Sequence, residues 1–337
     1  MASQYRNVGV IGLGYIGLPV ACTIAAHGHT VFGIDHDERK IAKLQSGVLP
    51  VGEDEPGLQS LFDSVRVDES LENPGLDARL WFSSSYVDLR NVDVVLIIID
   101  TPIDTRFKAS HHNLRAVCRE LAPILHSGSL VIVESTVSVG TTRDVVHRIL
   151  KSISNLHSLY VAVCPERVSP GTILRDLADR PRVVGGVDPA AARMAKQFYE
   201  TFVDAPISET SAETAELVKL GENAYRNVLI GFVNELAMIS EKHGVNVWEV
   251  RDRINDLADR QRVMKPGIGV GGHCLPKDTR LLRMGDVGLR EPSVTSAATQ
   301  VNDYMPYYVA EKVISALERI GRSPSGSKIA VFGISYK

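Results

Sequence analysis

Residues Gly269-Val270-Gly271-Gly272-His273-Cys274-Leu275-Pro276-Lys277-Asp278 set a thiol, a cation and a carboxylate on glycine-rich backbone that a ligand can approach closely. That combination is suited to nucleophilic chemistry. The other cysteines have no such setting. Cys22 and Cys118 lie in apolar helical patterns and Cys164 follows an apolar strand, so all three read as small core residues.

A second constellation lies near the N-terminus. Gly12-Leu13-Gly14-Tyr15-Ile16-Gly17 has a short apolar strand before it, Asn7 to Ile11, and a helical pattern after it, Leu18 to His27. A second strand, Thr30 to Ile34, ends at Asp35. This is the context a dinucleotide fingerprint requires. Gly12 allows the tight turn, Gly14 lets backbone approach a pyrophosphate, and Gly17 lets helix and sheet pack closely. The helix N-terminus favours phosphate charge. Asp35 is placed to accept hydrogen bonds from a ribose diol and to repel a 2′-phosphate, which favours NAD over NADP. Arg39 and Lys40 are the counter-signal, since either could bind a phosphate; an exposed helical turn is the simpler reading for Arg39.

These residues need elements to hold them. Further strands at Leu80 to Phe82, Val94 to Ile99, Ser129 to Val133 and Leu159 to Val163 alternate with helices, which implies an α/β doubly wound parallel sheet, Rossmann-like in form. Ligands of such sheets bind beyond the carboxyl ends of the strands. Thr101-Pro102, Glu134-Ser135-Thr136 and Cys164-Pro165-Glu166-Arg167 stand at three of those ends. From Glu209 to His243 the pattern is helical without a proline, far beyond the average helix of roughly 11 to 12 residues. It is apolar over most of its circumference, so its own chain or a second copy should bury it, and a homodimer through this helix is expected. A narrow polar stripe, Lys219, Asn223, Asn227 and Asn234, recurs at helical spacing and calls for a ligand or partner to satisfy it. Glu213 and Glu216 mark the expected exposed face. Helices follow at Val247 to Leu257 and Ser293 to Leu317, then a linker, Pro324-Ser325-Gly326-Ser327, and a strand, Lys328 to Phe332.

Composition narrows the field. A net charge of -3 with no basic run argues against a nucleic-acid footprint. The longest strongly apolar run, Val94 to Ile99, is far too short to span a bilayer, and the first residues lack the core of a signal peptide. Four scattered cysteines without a Cys-x-x-Cys pair argue against disulfides or a structural metal. A reducing cytoplasm is the expected setting.

Taken in order, Gly12 to Pro19, Glu55-Pro56-Gly57-Leu58, Glu134-Ser135-Thr136-Val137, Pro165-Glu166-Arg167, Glu216-Leu217-Val218-Lys219-Leu220-Gly221-Glu222-Asn223 and the cysteine segment resemble the UDP-glucose/GDP-mannose dehydrogenases, from Val8 to Lys337. The resemblance implies oxidation of C6 of a nucleotide sugar twice, alcohol to aldehyde to acid, with two NAD⁺ reduced. Cys274 would form a thiohemiacetal and then a thioester. Glu166 would handle protons or place the water, Lys219 and Asn223 would stabilise oxyanions, Asp278 would orient the water or the lysine, and Thr136 would help hold that water. Tyr15, Ile16, Lys40, Thr101, Thr136 and Lys277 would join Gly12, Gly14, Gly17 and Asp35 around the cofactor. Arg167, Val168, Gly269, Gly271, Gly272 and Lys337 would join Glu166, Lys219 and Asn223 around the substrate. No metal is implied.

The resemblance also implies an NAD-binding domain over 1–205, an all-α central domain with the long helix over 206–320, and the linker and first strand of a Rossmann-like UDP-binding domain over 321–337. With only that strand of the third domain, weak substrate binding with NAD binding retained is expected. Cys164 to Gly171, Asn246-Val247-Trp248-Glu249 and Gly272-His273-Cys274 look like the branch using UDP-N-acetylhexosamines, notably UDP-N-acetylmannosamine, whereas Leu275-Pro276-Lys277-Asp278 is closer to the UDP-glucose and GDP-mannose branches. UDP-N-acetylmannosamine or UDP-N-acetylglucosamine therefore stands first and UDP-glucose second. A two-domain β-hydroxyacid dehydrogenase and an inactive NAD-binding, dimerising module are the alternatives.

Overall fold

The computed structural model describes residues 6–51, 55–67, 79–104, 107–257, 262–272, 274–284, 291 and 293–332. The chain divides into two compact units, Met1–Lys219 and Leu220–Lys337.

In the first unit, strands β1 (Asn7–Ile11), β2 (Thr30–Ile34), β3 (Leu80–Ser83), β4 (Val94–Ile97), β5 (Leu130–Val133), β6 (Tyr160–Val163), β7 (Arg182–Gly186) and β8 (Ile207–Ser211) form one sheet. Their order is β3-β2-β1-β4-β5-β6-β7-β8. Helices α1 (Gly17–Ala26), α2 (Glu38–Gln45), α3 (Leu58–Val65), α4 (His112–Leu121), α5 (Arg148–Ser154), α6 (Ile173–Asp179) and α7 (Pro189–Tyr199) connect them. Side chains alternate along a strand, so each central strand feeds two cores. Val94 and Leu96 of β4 enter one, and Val95 and Ile97 the other. The order reverses between β1 and β4, and that switch point opens the crevice in which such sheets bind ligands.

The parallel run breaks once. β6 and β7 are antiparallel, with Ala162 opposite Gly186 and Val163 opposite Gly185. The link between them holds one helix of seven residues, α6, and the chain re-enters the sheet at the edge it left. β8 then pairs parallel to β7. Glu209 to Ser211 therefore belong to a strand and not to the start of the long helix. Ser211 Oγ accepts from the Thr214 N–H at 3.2 Å, which marks the change from strand to helix.

The long helix is α8 (Ala212–Lys242), 31 residues and about 46 Å. Beyond it lie α9 (Val247–Leu257), α10 (Cys274–Leu282) and α11 (Val294–Arg319), the last capped by Ser293 and interrupted by Pro306. Residues 328–332, expected as a strand, pair with no other strand among the described residues, and Ile329, Val331 and Phe332 are exposed. An isolated strand has no ladder to hold it. Among the described residues no helix is long and apolar enough to cross a membrane.

Candidate active site

The fingerprint is built as its glycines demand. Gly12 follows β1 with φ +93°, and a Cβ there would lie 2.2 Å from the Ile98 carbonyl oxygen. A Cβ at Gly17 would lie 1.8 Å from the Gly12 oxygen, whereas one at Gly14 would meet nothing within 4 Å. The backbone at Gly14 is thus open to a ligand, and α1 starts three residues later. Tyr15 is exposed and Ile16 half-buried on the same turn.

Asp35, at the end of β2, is 5% exposed. Its carboxylate accepts from the Leu13 N–H at 2.9 Å, the Asp37 N–H at 3.0 Å and Lys40 Nζ at 2.6 Å. Burial alone pushes this carboxyl upward, but the Lys40 ammonium and the two N–H groups outweigh it and hold it below its ordinary value. Asp35 is therefore an ionised acceptor fit for a ribose diol. Lys40 Nζ lies on the Asp35 carboxylate, on the same edge of the sheet.

The other strand ends are braced together. Thr101 Oγ1 donates to the Thr136 carbonyl at 2.6 Å, and Ser135 Oγ donates to the Ile99 carbonyl at 2.7 Å. Both threonines are buried. Glu166 follows β6 half-buried, and its N–H donates to the Glu134 carbonyl at 3.2 Å. Lys219 Nζ donates to the Glu166 carbonyl at 2.7 Å and reaches Glu166 Oε1 at 3.3 Å. The other oxygen, Oε2, accepts from the Val168 N–H at 3.0 Å. Lys219 and Glu166 thus form an ion pair, part-buried at the edge of the first unit. Arg167 and Val168 are half-buried beside it, the Arg167 carbonyl taking a hydrogen bond from Arg180 Nη1 at 2.9 Å.

Several carboxylates to which the sequence analysis gave no site role hold this edge in place. Glu55 accepts from the Gly171 N–H at 2.8 Å, and Asp176 accepts from the Ser169 N–H at 3.0 Å and Thr172 Oγ1 at 2.9 Å. Both are buried, and together they pin the segment after Glu166. Glu216 is not on an exposed face, as its spacing suggested. It is 1% exposed and accepts from the N–H groups of Gly140 and Thr142 at 2.6 and 2.8 Å. Behind Glu166 lies a fully buried cluster. Tyr199 donates its hydroxyl to Glu134 at 2.5 Å, and Arg182 lies 4.9 Å over the Tyr199 ring. Burial pushes the Glu134 carboxyl upward, offset in part by Arg182 and the Tyr199 hydroxyl. A glutamate ending an apolar strand and an arginine opening one were the signals available for this cluster.

In the second unit Cys274 is the first residue of α10, not a loop residue. Pro276 fits there because the first turn of a helix has no intrahelical partner for its N–H groups. Unpaired N–H groups at a helix N-terminus favour negative charge beside them. Cys274 is exposed; Cys22, Cys118 and Cys164 are buried. Burial pushes the Cys118 thiol up to about 12 and the Cys164 thiol to about 11, and raises that of Cys22 further. The helix puts Asp278 one turn below Cys274. Asp278 is buried, accepts from Asn223 Nδ2 at 2.6 Å and has Lys277 Nζ at 3.7 Å. Gly269 has φ +106° and lies against α11, where a Cβ would come within 2.6 Å of the Asn302 oxygen; Gly271 and Gly272 are exposed. Asn227 and Asn234, expected to call for a ligand or partner, are buried and hydrogen-bonded within this unit, to Thr299 and Asn302 of α11 and to the Gly267 N–H. Lys337 lies outside the described residues. Among the described residues no group of three or more His, Cys, Asp and Glu could hold a metal ion.

Residues 6–203 match the NAD binding domain of the UDP-glucose/GDP-mannose dehydrogenase family and residues 213–304 its central domain. The chain is 38% identical over 336 residues to the UDP-N-acetyl-D-mannosamine dehydrogenase of Methanocaldococcus jannaschii, covering 98% of this chain and 72% of that protein. It is 34% identical to the NDP-N-acetyl-D-galactosaminuronic acid dehydrogenase of Ralstonia nicotianae, covering 99% of this chain and 76% of that protein. The solved UDP-D-ManNAc dehydrogenase of Pyrococcus horikoshii superimposes with a TM-score of 0.89 at 36% identity, over 98% of this chain and 76% of that one. With an NAD-type crevice, a lysine–glutamate pair and an exposed cysteine on a helix start, the chain belongs to the UDP-glucose/GDP-mannose dehydrogenase family, NAD-dependent oxidoreductases acting on nucleotide sugars.

Proposed function

We propose that this chain oxidises the C6 alcohol of a UDP-N-acetylhexosamine, UDP-N-acetylmannosamine first, to the uronic acid in two steps. The observation that carries this reading is Cys274, exposed at the start of α10 with Asp278 and Lys277 in its first turns, in a chain whose other cysteines are buried. A single alcohol oxidation needs no thiol. An aldehyde, however, has no hydride to release until a nucleophile makes its carbon tetrahedral.

Asp35 and the backbone at Gly12 and Gly14 would hold NAD, with Thr101, Thr136 and Lys277 as further cofactor contacts. Two NAD⁺, bound one after the other, would each supply the acceptor for one hydride. Glu166 takes the alcohol proton, helped by the Lys219 ammonium on its carboxylate. Cys274 adds through sulfur to the resulting aldehyde carbon, forming a thiohemiacetal. Loss of a second hydride and the hydroxyl proton leaves a thioester. Water then adds at that carbon, the carbon–sulfur bond breaks, and the acid and the free thiol are released. Lys219 and Asn223 stabilise the oxyanions, and Asp278, held by Asn223, orients the water. Arg167, Val168, Gly269, Gly271 and Gly272 line the sugar and diphosphate.

The test is NADH absorbance on this chain with UDP-N-acetylmannosamine, UDP-N-acetylglucosamine, UDP-N-acetylgalactosamine and UDP-glucose. Two NADH per sugar and a uronic acid by mass spectrometry are expected with the mannosamine sugar, and Cys274→Ser should form no acid. One NADH per substrate, or turnover that survives Cys274→Ser, would rule this mechanism out.

The proposal includes a homodimer through α8, in a cytoplasmic setting. Val218, Tyr225, Phe232 and Ile239 recur every seven residues on α8, and all four are exposed. A seven-residue apolar repeat is a seam for a second helix.

A further inference from the structure

The α8–α11 pair contains a chain of buried amides whose end is the cysteine segment. The Gly267 N–H donates to Asn234 Oδ1 at 2.9 Å. Asn234 Nδ2 donates to Asn302 Oδ1 at 2.9 Å, and Asn302 Nδ2 donates to Asn227 Oδ1 and to the Asn227 carbonyl, each at 3.0 Å. Asn227 Nδ2 donates to Thr299 Oγ1 at 3.1 Å, and Thr299 Oγ1 donates to the Thr295 carbonyl at 2.8 Å. The direction of every bond follows from the two ends. A backbone N–H can only donate and a backbone carbonyl can only accept, so each amide between them faces one way. Asn227, Asn234 and Asn302 are 3%, 0% and 3% exposed, so a reversed amide would leave buried groups unmatched.

Three further features bring the glycine segment to this chain. Asn227 and Asn234 are two turns apart on the face of α8 that also carries Asn223, whose amide holds Asp278. Between them Gly231 lets α11 approach so closely that a Cβ would lie 2.9 Å from that of Ala298. Pro306 has no N–H to give the carbonyl four residues back, which is that of Asn302, and Gly269 rests against that oxygen.

We infer that Asn234 and Asn302 are positioning residues for the reaction: they fix the backbone from Gly267 to Gly269, and with it the segment that delivers Cys274. This rests on the proposed role of Cys274 as the reacting thiol, but it can be tested without any sugar. The full chain is labelled with iodoacetamide, with peptide mapping at Cys274, and its 266–272 segment is followed by hydrogen exchange. Thermal midpoints are recorded for Asn234→Ala, Asn234→Asp and Thr299→Val. Losing a buried acceptor should raise exchange of the segment about tenfold or more in Asn234→Ala and alter the Cys274 labelling rate several-fold. Asn234→Asp, kept as the neutral acid by its full burial, retains an acceptor for the Gly267 N–H and an O–H donor for Asn302 Oδ1 and should retain most of the protection, which covers the case in which the alanine variant does not fold. Thr299→Val, at the far end, should lower the midpoint while leaving exchange and labelling at the segment near those of the parent. Equal disturbance by Thr299→Val and Asn234→Ala would overturn the inference, as would parental exchange in a folded Asn234→Ala. Failure of the nucleotide-sugar reading would show separately, as absent NADH with intact protection of the segment.

Discussion

Among single residues, Asp35 has the clearest dependence on acidity. Its carboxyl is held below its ordinary value in the fold by Lys40 and two N–H groups that outweigh its burial. A depressed carboxyl contributes stability that is present above the unfolded value, about 3.9, and is lost as pH falls through the folded one. The thermal midpoint should therefore decline on the acid side of about pH 4. Asp35→Asn should flatten that decline, because an amide has no charge to lose, and should weaken NAD binding. Midpoints measured across pH for both proteins would check this, and parallel acid limbs would count against it. Lys219 behaves differently: its place in the polar stripe of the long helix was legible, but Glu166, which takes its hydrogen bonds among the described residues, was not. A sequence shows that a cation is poorly placed for water, not which carboxylate folding will bring to it from 53 residues away.

At the scale of elements, the fingerprint turn separates two uses of glycine. A Cβ at Gly14 meets only open space, so Gly14→Ala should fold with a near-parental urea midpoint and lose NAD affinity, read by fluorescence titration. A Cβ at Gly17 would sit 1.8 Å from backbone, so Gly17→Ala should lose both, at a stability cost of about 3 kcal/mol. Two alanine variants with the same urea midpoint would contradict that division. The strands β1 to β6 were legible because central strands of a parallel sheet are continuous apolar runs between turn signals. β7 and β8 were not. Arg182-Val183-Val184-Gly185-Gly186 is short, with a charge at one end and glycines at the other, and Ile207-Ser208-Glu209-Thr210-Ser211 has almost no apolar content, so it reads as the approach to a helix. Cys274 was legible as the cysteine set apart from the three buried ones, yet its place on a helix was hidden. The glycines before it read as loop, and Pro276 reads as a break unless the helix is known to have just begun. The asparagines of α8 were legible as a stripe but assigned the wrong partner, because residues 68 to 75 positions away supply their hydrogen bonds.

For the whole molecule, the heptad seam on α8 is the feature with the largest consequence. The parent chain should have twice the monomer mass by light scattering at micromolar concentration. Phe232→Glu, which places a charge in the middle of the seam, should give a monomer with its NAD-binding fold intact by circular dichroism. A monomeric parent would remove the dimer from the proposal. The sheet of the first unit has a consequence of another kind. An eight-stranded sheet ends in two rows of unmatched backbone groups, and such edges recruit other chains into aggregates. At one end the chain lays Arg66 beside Leu80 of β3, with the Val67 N–H bonded to the Leu80 carbonyl, so the strand is partly covered. At the other end lies β8, with Ser208 and Glu209 exposed and a carboxylate where an intruding strand would need an apolar neighbour. The polarity that makes β8 hard to recognise as a strand is what lets it close the sheet without inviting a ninth.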